Sequence, residues 1–371
     1  NILGYSDDDV NQAVTEAVHD CNMTTLNAPE EVELAELLTN IHPWAQMVRF
    51  ARTGGEAMSI AVRIARAKSN KSLTLFCGYH GWHDWYLSAN LAGDSTLDGH
   101  LLPGLEPNGV PKELRGTSIP FSYNNIDEFS VLIEKYKTEI GVVVIETLRN
   151  DEPDREFFKA IKEAKEKYGF VLVVDEISCG WRLNLGGAHL IYNLSPDIAV
   201  FGKGLSNGYA MSAIVGREEV MQAAQSSFIS STYWTERIGT VAAISCINKM
   251  KKYNVSTHLK MVGEMVQKGW SDNANICNIE IEVGGIYPLG HFKFKNNNLV
   301  LKTLFTQLML ERGFLATTAF YASFAHKKEH IDKYLNAVKS VFRILEKSII
   351  ANNTLSLLKG PVCHEGFKRL T

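Results

Sequence analysis

Paired cysteines are missing from this chain. Cys21, Cys77, Cys179, Cys246, Cys277 and Cys363 are scattered through 371 residues, with no Cys-x-x-Cys pair. That spacing offers neither a disulfide framework nor a zinc ribbon. It reads as reduced thiols in a cytoplasmic protein. Long apolar runs are missing too: no stretch approaches the roughly 20 residues of a membrane helix. Charge of one sign is scarce. A net charge of −3 gives no general electrostatic reason to bind nucleic acid or an anionic membrane. There is no internal repeat, no low-complexity tract and no signal peptide. Residue 1 is Asn rather than Met and the first segment reads as mid-domain, so a signal on a longer product is not excluded. The turn Thr53-Gly54-Gly55-Glu56-Ala57-Met58 lacks the Gly-x-Gly-x-x-Gly spacing of a dinucleotide-binding oxidoreductase.

What is present is ample apolar material, 45% of residues, enough for one large domain and a smaller one. Short apolar runs alternate with amphipathic segments. Met47–Ala51, Leu73–Phe76, Val142–Ile145, Val171–Val174 and Ile198–Phe201 read as strands. After Thr53-Gly54-Gly55 a helix carries Ala57, Ile60, Ala61, Ile64 and Ala65 on one face. Another runs from about Arg155 to Tyr168 and closes at Gly169; it buries Phe158, Ile161 and the Lys165 stem, or Phe157 and Ala164. The alternation predicts an α/β fold, a mostly parallel sheet with helices on both faces, plus a smaller α+β domain. The division expected is 1–40 as a segment of the small domain, 41–245 as the large domain and 246–371 as the small one. Asp8–Asp20 and Glu30–Thr39 read as helices, Lys249–Tyr253 and Ile331–Lys347 as charged helical segments, and Asn278–Val283 as a half-exposed strand. Gly93–Gly116 is a long irregular segment of the kind that often carries function.

Ligands of parallel sheets gather at the carboxyl ends of the strands. Gly54, Glu146, Asp175 and Lys203 all fall just past such ends. Four apolar residues carry Asp175 into the interior, where a carboxylate needs a cation or several donors. A protonated ring nitrogen would serve, and a structural salt bridge is the plainer alternative. Glu176 points to the other side of the strand. Lys203, between Gly202 and Gly204, can condense with an aldehyde if its amine is neutral; the plain reading is a surface lysine in a glycine turn. Gly54 and Gly55 would offer free N–H groups to a phosphate at a helix start, or simply make a tight turn. In Tyr79-His80-Gly81-Trp82-His83-Asp84 an aromatic follows a strand end and could stack on a flat ring. A metal site of His80, His83 and Asp84 is disfavoured, since no further clustered His or Cys follows at ligand spacing.

Together these segments resemble class III aminotransferases. Thr53-Gly54-Gly55-Glu56-Ala57, Tyr79-His80-Gly81, Asp175-Glu176-Ile177-x-x-Gly180-Trp181-Arg182, Gly202-Lys203 and Ser230–Arg237 follow the family order, most like the branch containing glutamate-1-semialdehyde aminomutase. The resemblance spans essentially the whole chain and implies a fold type I pyridoxal 5′-phosphate enzyme, normally a homodimer. It makes Lys203 the covalent anchor of the cofactor and Asp175 the partner of its ring nitrogen. Tyr79 and Ile177 would face the two sides of the ring, Gly54 and Gly55 the phosphate, and Thr232 the phosphate of the neighbouring subunit. The implied activity moves an amino group between a small amine or amino acid and a carbonyl acceptor. An intramolecular aminomutase is the alternative, and a non-catalytic cofactor-binding homologue a remoter one.

The chain departs from the family pattern in four places. Gly55 stands where the family usually has Thr or Ser, which puts a side-chain bond to phosphate in doubt. Thr147 stands where Pro is usual. Family members carry several dozen residues before the Leu3-Gly4-Tyr5 segment, so a longer N-terminus is expected. No arginine is assigned to clamp a substrate carboxylate: Arg312 and Arg343 read as helix-surface residues, and Arg182 as a structural ion pair. Arg149 and Arg182 are the candidates for an acidic substrate. Trp82, Trp85, Tyr233 and Trp234 would suit an apolar or sugar ring if they line the site.

Overall fold

The computed structural model describes residues 1–91, 104–148 and 150–364. Arg149 and the 93–103 part of the irregular segment lie outside them. The chain divides into two compact units, the first mainly residues 3–148 and 153–254, the second mainly residues from 255 onward.

Among the described residues of the first unit, seven strands and eight α-helices follow one another as α1 (Asp8–Asp20), α2 (Pro29–Ile41), β1 (Met47–Ala51), α3 (Gly54–Ser69), β2 (Leu73–Cys77), α4 (Asp84–Leu87), β3 (Ser118–Pro120), α5 (Ile126–Tyr136), β4 (Ile140–Glu146), α6 (Arg155–Tyr168), β5 (Val171–Asp175), β6 (Ile198–Phe201), β7 (Ser212–Gly216), α7 (Glu218–Met221) and α8 (Arg237–Tyr253). The strands form one sheet in the order β1-β7-β6-β5-β4-β2-β3. The pairs β3–β2, β2–β4, β4–β5 and β5–β6 are parallel, and β7 runs antiparallel to both β6 and β1. Six strands therefore point their carboxyl ends at one rim, and β7 begins there. Every residue of β2, β4, β5, β6 and β7 is buried. That is why these strands read as unbroken apolar runs rather than alternating ones.

Helix α3 places Ala57, Ile60, Ala61, Ile64 and Ala65 in a core shared with Val144, Val173, Val200 and Ile214. Its start is fixed reciprocally. Thr53 caps the Glu56 N–H, and Glu56 Oε2 accepts the Arg52 N–H at 2.8 Å. Helix α6 ends where Gly169 takes φ +70, and buries Phe157, Phe158, Ile161 and Ala164 together. Helices α1 and α2 belong to this unit and pack on α8, whereas the sequence reading attached the first 40 residues to the small domain.

The second unit contains α9 (Val255–Ile276), β8 (Ile281–Gly284), β9 (Leu289–Phe294), α10 (Asn298–Glu311), β10 (Ala319–Tyr321) and α11 (Lys328–Ile350). Its antiparallel sheet has the order β10-β9-β8. Trp270, Phe292, Phe294, Phe305 and Phe342 pack edge to face in its core. The strand expected at Asn278–Val283 starts later, at Ile281. Asn278 adopts φ +48, and the Ile279 N–H turns back to the Ala274 carbonyl, so the end of α9 consumes these residues. Among the described residues no helix is long and apolar enough to cross a membrane.

Candidate active site

Asp175, the last residue of β5, is 3% exposed. Its Oδ1 accepts the Ile177 N–H at 2.9 Å, and its Oδ2 lies 2.8 Å from His80 Nδ1. His80 Nε2 lies 3.0 Å from the Cys77 carbonyl. Both ring nitrogens therefore face acceptors, and the imidazole braces the carboxylate from its inner side. The sequence offered His80 only as a weak metal candidate. Its partner was hidden because β4 lies between β2 and β5 in the sheet, an order that no local pattern reveals.

Lys203 follows β6, the next strand over. Its Nζ donates to Ser178 Oγ at 2.7 Å, and Ser178 stands three residues beyond Asp175 on the loop that leaves β5. The expected lysine and acid thus reach the same rim from adjacent strands. Lys203 takes φ +41, a left-handed backbone that costs a lysine about 1–2 kcal/mol.

Ile177 joins these parts. A Cβ built on Gly54 would stand 3.0 Å from Ile177 Cδ1, and one on Gly202 would stand 3.5 Å from Ile177 Cγ2. The Ile177 side chain therefore fills the space between the start of α3 and the lysine turn. Gly54 and Gly55 open α3, where first-turn N–H groups lack acceptors within the helix.

Tyr79 is placed from behind. Its N–H donates to Glu146 Oε2 at 3.1 Å, and a Cβ on Gly78 (φ +106) would collide with that carboxylate. The sequence singled out Glu146 for its place at a strand end; its role here is to hold the Tyr79 backbone. Tyr79 meets Tyr86 edge to face with ring centres 5.9 Å apart.

Behind the rim, Glu176 points the other way, as its position in the strand predicts. It is fully buried and receives five donors. Thr147 Oγ1 at 2.7 Å, the His189 N–H at 2.8 Å and His189 Nδ1 at 2.8 Å reach Oε1; Cys179 Sγ and the Ala188 N–H, each at 3.0 Å, reach Oε2. Burial pushes this carboxyl up, but the His189 ring, the Cys179 thiol and the His189 N–H outweigh it and hold it below the ordinary carboxylate range. Trp44 Nε1 donates to His189 Nε2 at 3.0 Å, and the Gly187 N–H donates to His42 Nε2 at 3.1 Å. Burial, seconded by the neighbouring His189, lowers the His42 pKa to about 4. This network fixes the loop that carries Ile177 and Ser178.

Thr232 is exposed, in a short turn at 232–235. Among the described residues no hydrogen bond or ion pair joins it to the other site residues. Its segment is nevertheless tied to the α3 turn. Arg52 donates to the carbonyls of Tyr233 and Glu236, lies 3.5 Å from the Glu236 carboxylate, and reaches Met211 Sδ at 3.0 Å. Of the remaining candidates, Arg182 is buried, with Nε on the Ser178 carbonyl at 2.8 Å. Trp85 is buried, Trp82 and Tyr233 are exposed, and Trp234 stacks under Arg49 at 5.1 Å. Arg312 bonds the Leu308 carbonyl of its own helix and Arg343 is exposed on α11. Among the described residues no group of three His, Cys, Asp or Glu side chains is arranged to hold a metal ion.

A rim that joins a buried acid, a lysine and a glycine-opened helix start defines a class that the comparisons identify. The sequence pattern of the family described as aminotransferase class-III matches residues 1–342. The chain belongs to that family. It is 27% identical over 337 residues to a 2'-deamino-2'-hydroxyneamine transaminase from Streptomyces kanamyceticus, covering 90% of this chain and 81% of the relative. It is 29% identical over 376 residues to a glutamate-1-semialdehyde 2,1-aminomutase from Francisella philomiragia, covering 92% and 84%. The fold matches the FumI protein of Sphingopyxis sp. MTA144, solved in its pyridoxal phosphate internal aldimine form, with a TM-score of 0.86 at 20% identity, over 96% of this chain and 85% of that one. The protein is a pyridoxal phosphate-dependent enzyme of fold type I. The residues present fit the cofactor: a buried carboxylate for a cationic ring, a lysine on the adjacent strand end, and a helix start where Gly54 and Gly55 leave no room for side chains.

Proposed function

We propose that this enzyme moves an amino group between a small amine or amino acid and a carbonyl acceptor, with Lys203 and Asp175 as its catalytic residues. The observation that carries this reading is the 2.7 Å bond from Lys203 Nζ to Ser178, three residues past the buried Asp175. Pyridoxal 5′-phosphate, when bound, supplies an aldehyde that takes up amines and a ring that withdraws electrons from the carbon being rearranged. Asp175, held by His80 and the Ile177 N–H, would pair with the ring nitrogen and keep it protonated. Tyr79 and Ile177 would confine the ring between them. Gly54 and Gly55 offer N–H groups to the phosphate. Thr232 offers its hydroxyl to the phosphate of a second subunit, so a homodimer is the expected assembly. Lys203 would anchor the cofactor and serve as the acid–base group that moves the substrate's proton, with Ser178 Oγ, 2.7 Å from Nζ, as the resting place of its amine. The amino donor and carbonyl acceptor are small molecules.

The test is spectroscopic. Purified protein should be yellow, and borohydride should fix the colour to a peptide containing Lys203. Lys203→Ala should abolish turnover. A colourless preparation that takes up no added cofactor would end this reading.

An intramolecular aminomutase is the second reading, supported by the glutamate-1-semialdehyde aminomutase relatives at 28–30% identity. It would use the same residues and retain the intermediate product. A panel of amino donors separates the two, because only transfer requires a separate acceptor. A non-catalytic cofactor-binding homologue is disfavoured, since it would need neither Lys203 nor Asp175.

A further inference from the structure

We propose that His83 is a phosphate ligand of this enzyme, filling the place that a side chain at position 55 would take. The proposal rests on the reading above in which the start of α3 receives the cofactor phosphate, and it deepens that reading. Gly55 is the second residue of the 16-residue helix α3. A Cβ built there would stand 2.9 Å from His83 Cδ2 and 3.0 Å from His83 Nε2. The imidazole thus occupies the room that any larger residue at 55 would claim. Gly54, beside it, is covered by Ile177 instead, so two side chains from different loops frame the two glycines.

The approach is built into the backbone. Gly81 takes φ +101, and a Cβ on it would lie 3.3 Å from Gly55 Cα, so the Gly78–His83 turn is pressed onto the helix start. The His83 carbonyl accepts the N–H groups of Tyr86 and Leu87 at 2.9 and 3.1 Å, which fixes the residue as the cap of α4. Its ring lies against Trp82 at 4.6 Å between centres. The ring is half-buried, and neither of its nitrogens is hydrogen-bonded to a described residue. Arg52, the cation nearest along the chain, turns its guanidinium towards Tyr233, Glu236 and Met211. His83 thus stands at the α3 turn with ring nitrogens that no described residue engages. An imidazole N–H beside unsatisfied first-turn N–H groups is equipped to bind an anion oxygen.

The experiment compares cofactor with and without its phosphate. Apoprotein is titrated with pyridoxal 5′-phosphate and with pyridoxal, following absorbance. His83→Phe keeps the ring that packs over Gly55 and removes its nitrogens; His83→Leu gives the same readout should the phenyl ring disturb the turn. Losing a hydrogen bond to a charged group should weaken pyridoxal 5′-phosphate about 10- to 100-fold and leave pyridoxal within about twofold. The double variant Gly55→Thr with His83→Ala, which returns a hydroxyl to the vacated space, should recover about half of that loss on a logarithmic scale. Unchanged affinity for the phosphate form, or equal loss of both ligands, overturns the proposal and leaves the active-site reading intact. A wild-type protein that binds the two ligands equally well would instead remove the phosphate from α3, and the reading of Gly54 and Gly55 would fall with it.

Discussion

Asp175 owes its chemistry to what surrounds it: one carboxylate, out of water, with a backbone N–H on one oxygen and His80 on the other. Asp175→Asn keeps the shape and removes the charge. It should lower kcat by about two to four decades, the rate equivalent of roughly 3–5 kcal/mol for a broken buried pair. A change below about threefold would remove Asp175 from the mechanism. On the far side of the strand, Glu176→Gln puts an amide where five donors converge. Two of them then face an N–H₂ group, and the fold should lose about 3 kcal/mol, read from the urea midpoint. Asp175, Lys203, Gly54, Gly55, Tyr79 and Ile177 could be proposed from the sequence because each stands within four residues of the end of an apolar run. The roles of His80, Ser178 and His83 could not. Their partners depend on which strands are neighbours and on how close two glycine turns approach, and neither is encoded within a window of sequence.

Elements with sharp ends were read well. Helix α6 has an aspartate cap, a single apolar face and a left-handed glycine, and its bounds are those expected. Strand β8 was displaced by the local turn chemistry of Asn278. Helix α2 holds a pH-sensitive element that no pattern announced. His42, its C-cap, accepts the Gly187 N–H and is buried in neutral form. Its folded pKa is about 4, against 6.5 for the ordinary group. Between those values the unfolded chain binds the extra proton, so stability falls as pH drops from 6.5 towards 4. The loss should approach about 3 kcal/mol. Denaturant midpoints taken across that range should slope less in His42→Phe, and an identical slope would clear His42 of the effect. Arg52 links the α3 turn to the 232–236 segment. Arg52→Met leaves the half-buried Glu236 carboxylate without its cation and the Tyr233 and Glu236 carbonyls without their donor, and should cost about 1–2 kcal/mol. Thermal melting of the variant beside Glu236→Gln and the double variant gives the coupling.

At the scale of the molecule, the α/β class and the rim where the site gathers followed from the alternation of runs, while the sheet order did not. The reversed β7, between β6 and β1, brings Ser212 to the same rim, where its hydroxyl bonds the Thr53 carbonyl at 3.1 Å. If Thr232 serves a second subunit, light scattering should give twice the 41.4 kDa chain mass. Dilution to monomer should then release the cofactor; a monomer that retains it would refute the shared site. Lys203 adds a consequence of another kind. Among the described residues, every non-glycine with positive φ is an asparagine except Ser6, Trp181 and Lys203. Lys203→Asn should therefore fold about 1 kcal/mol more stably than the parent chain, read from the urea midpoint. If Lys203 is the catalytic lysine proposed above, selection for turnover and selection for robustness pull in opposite directions at this one position.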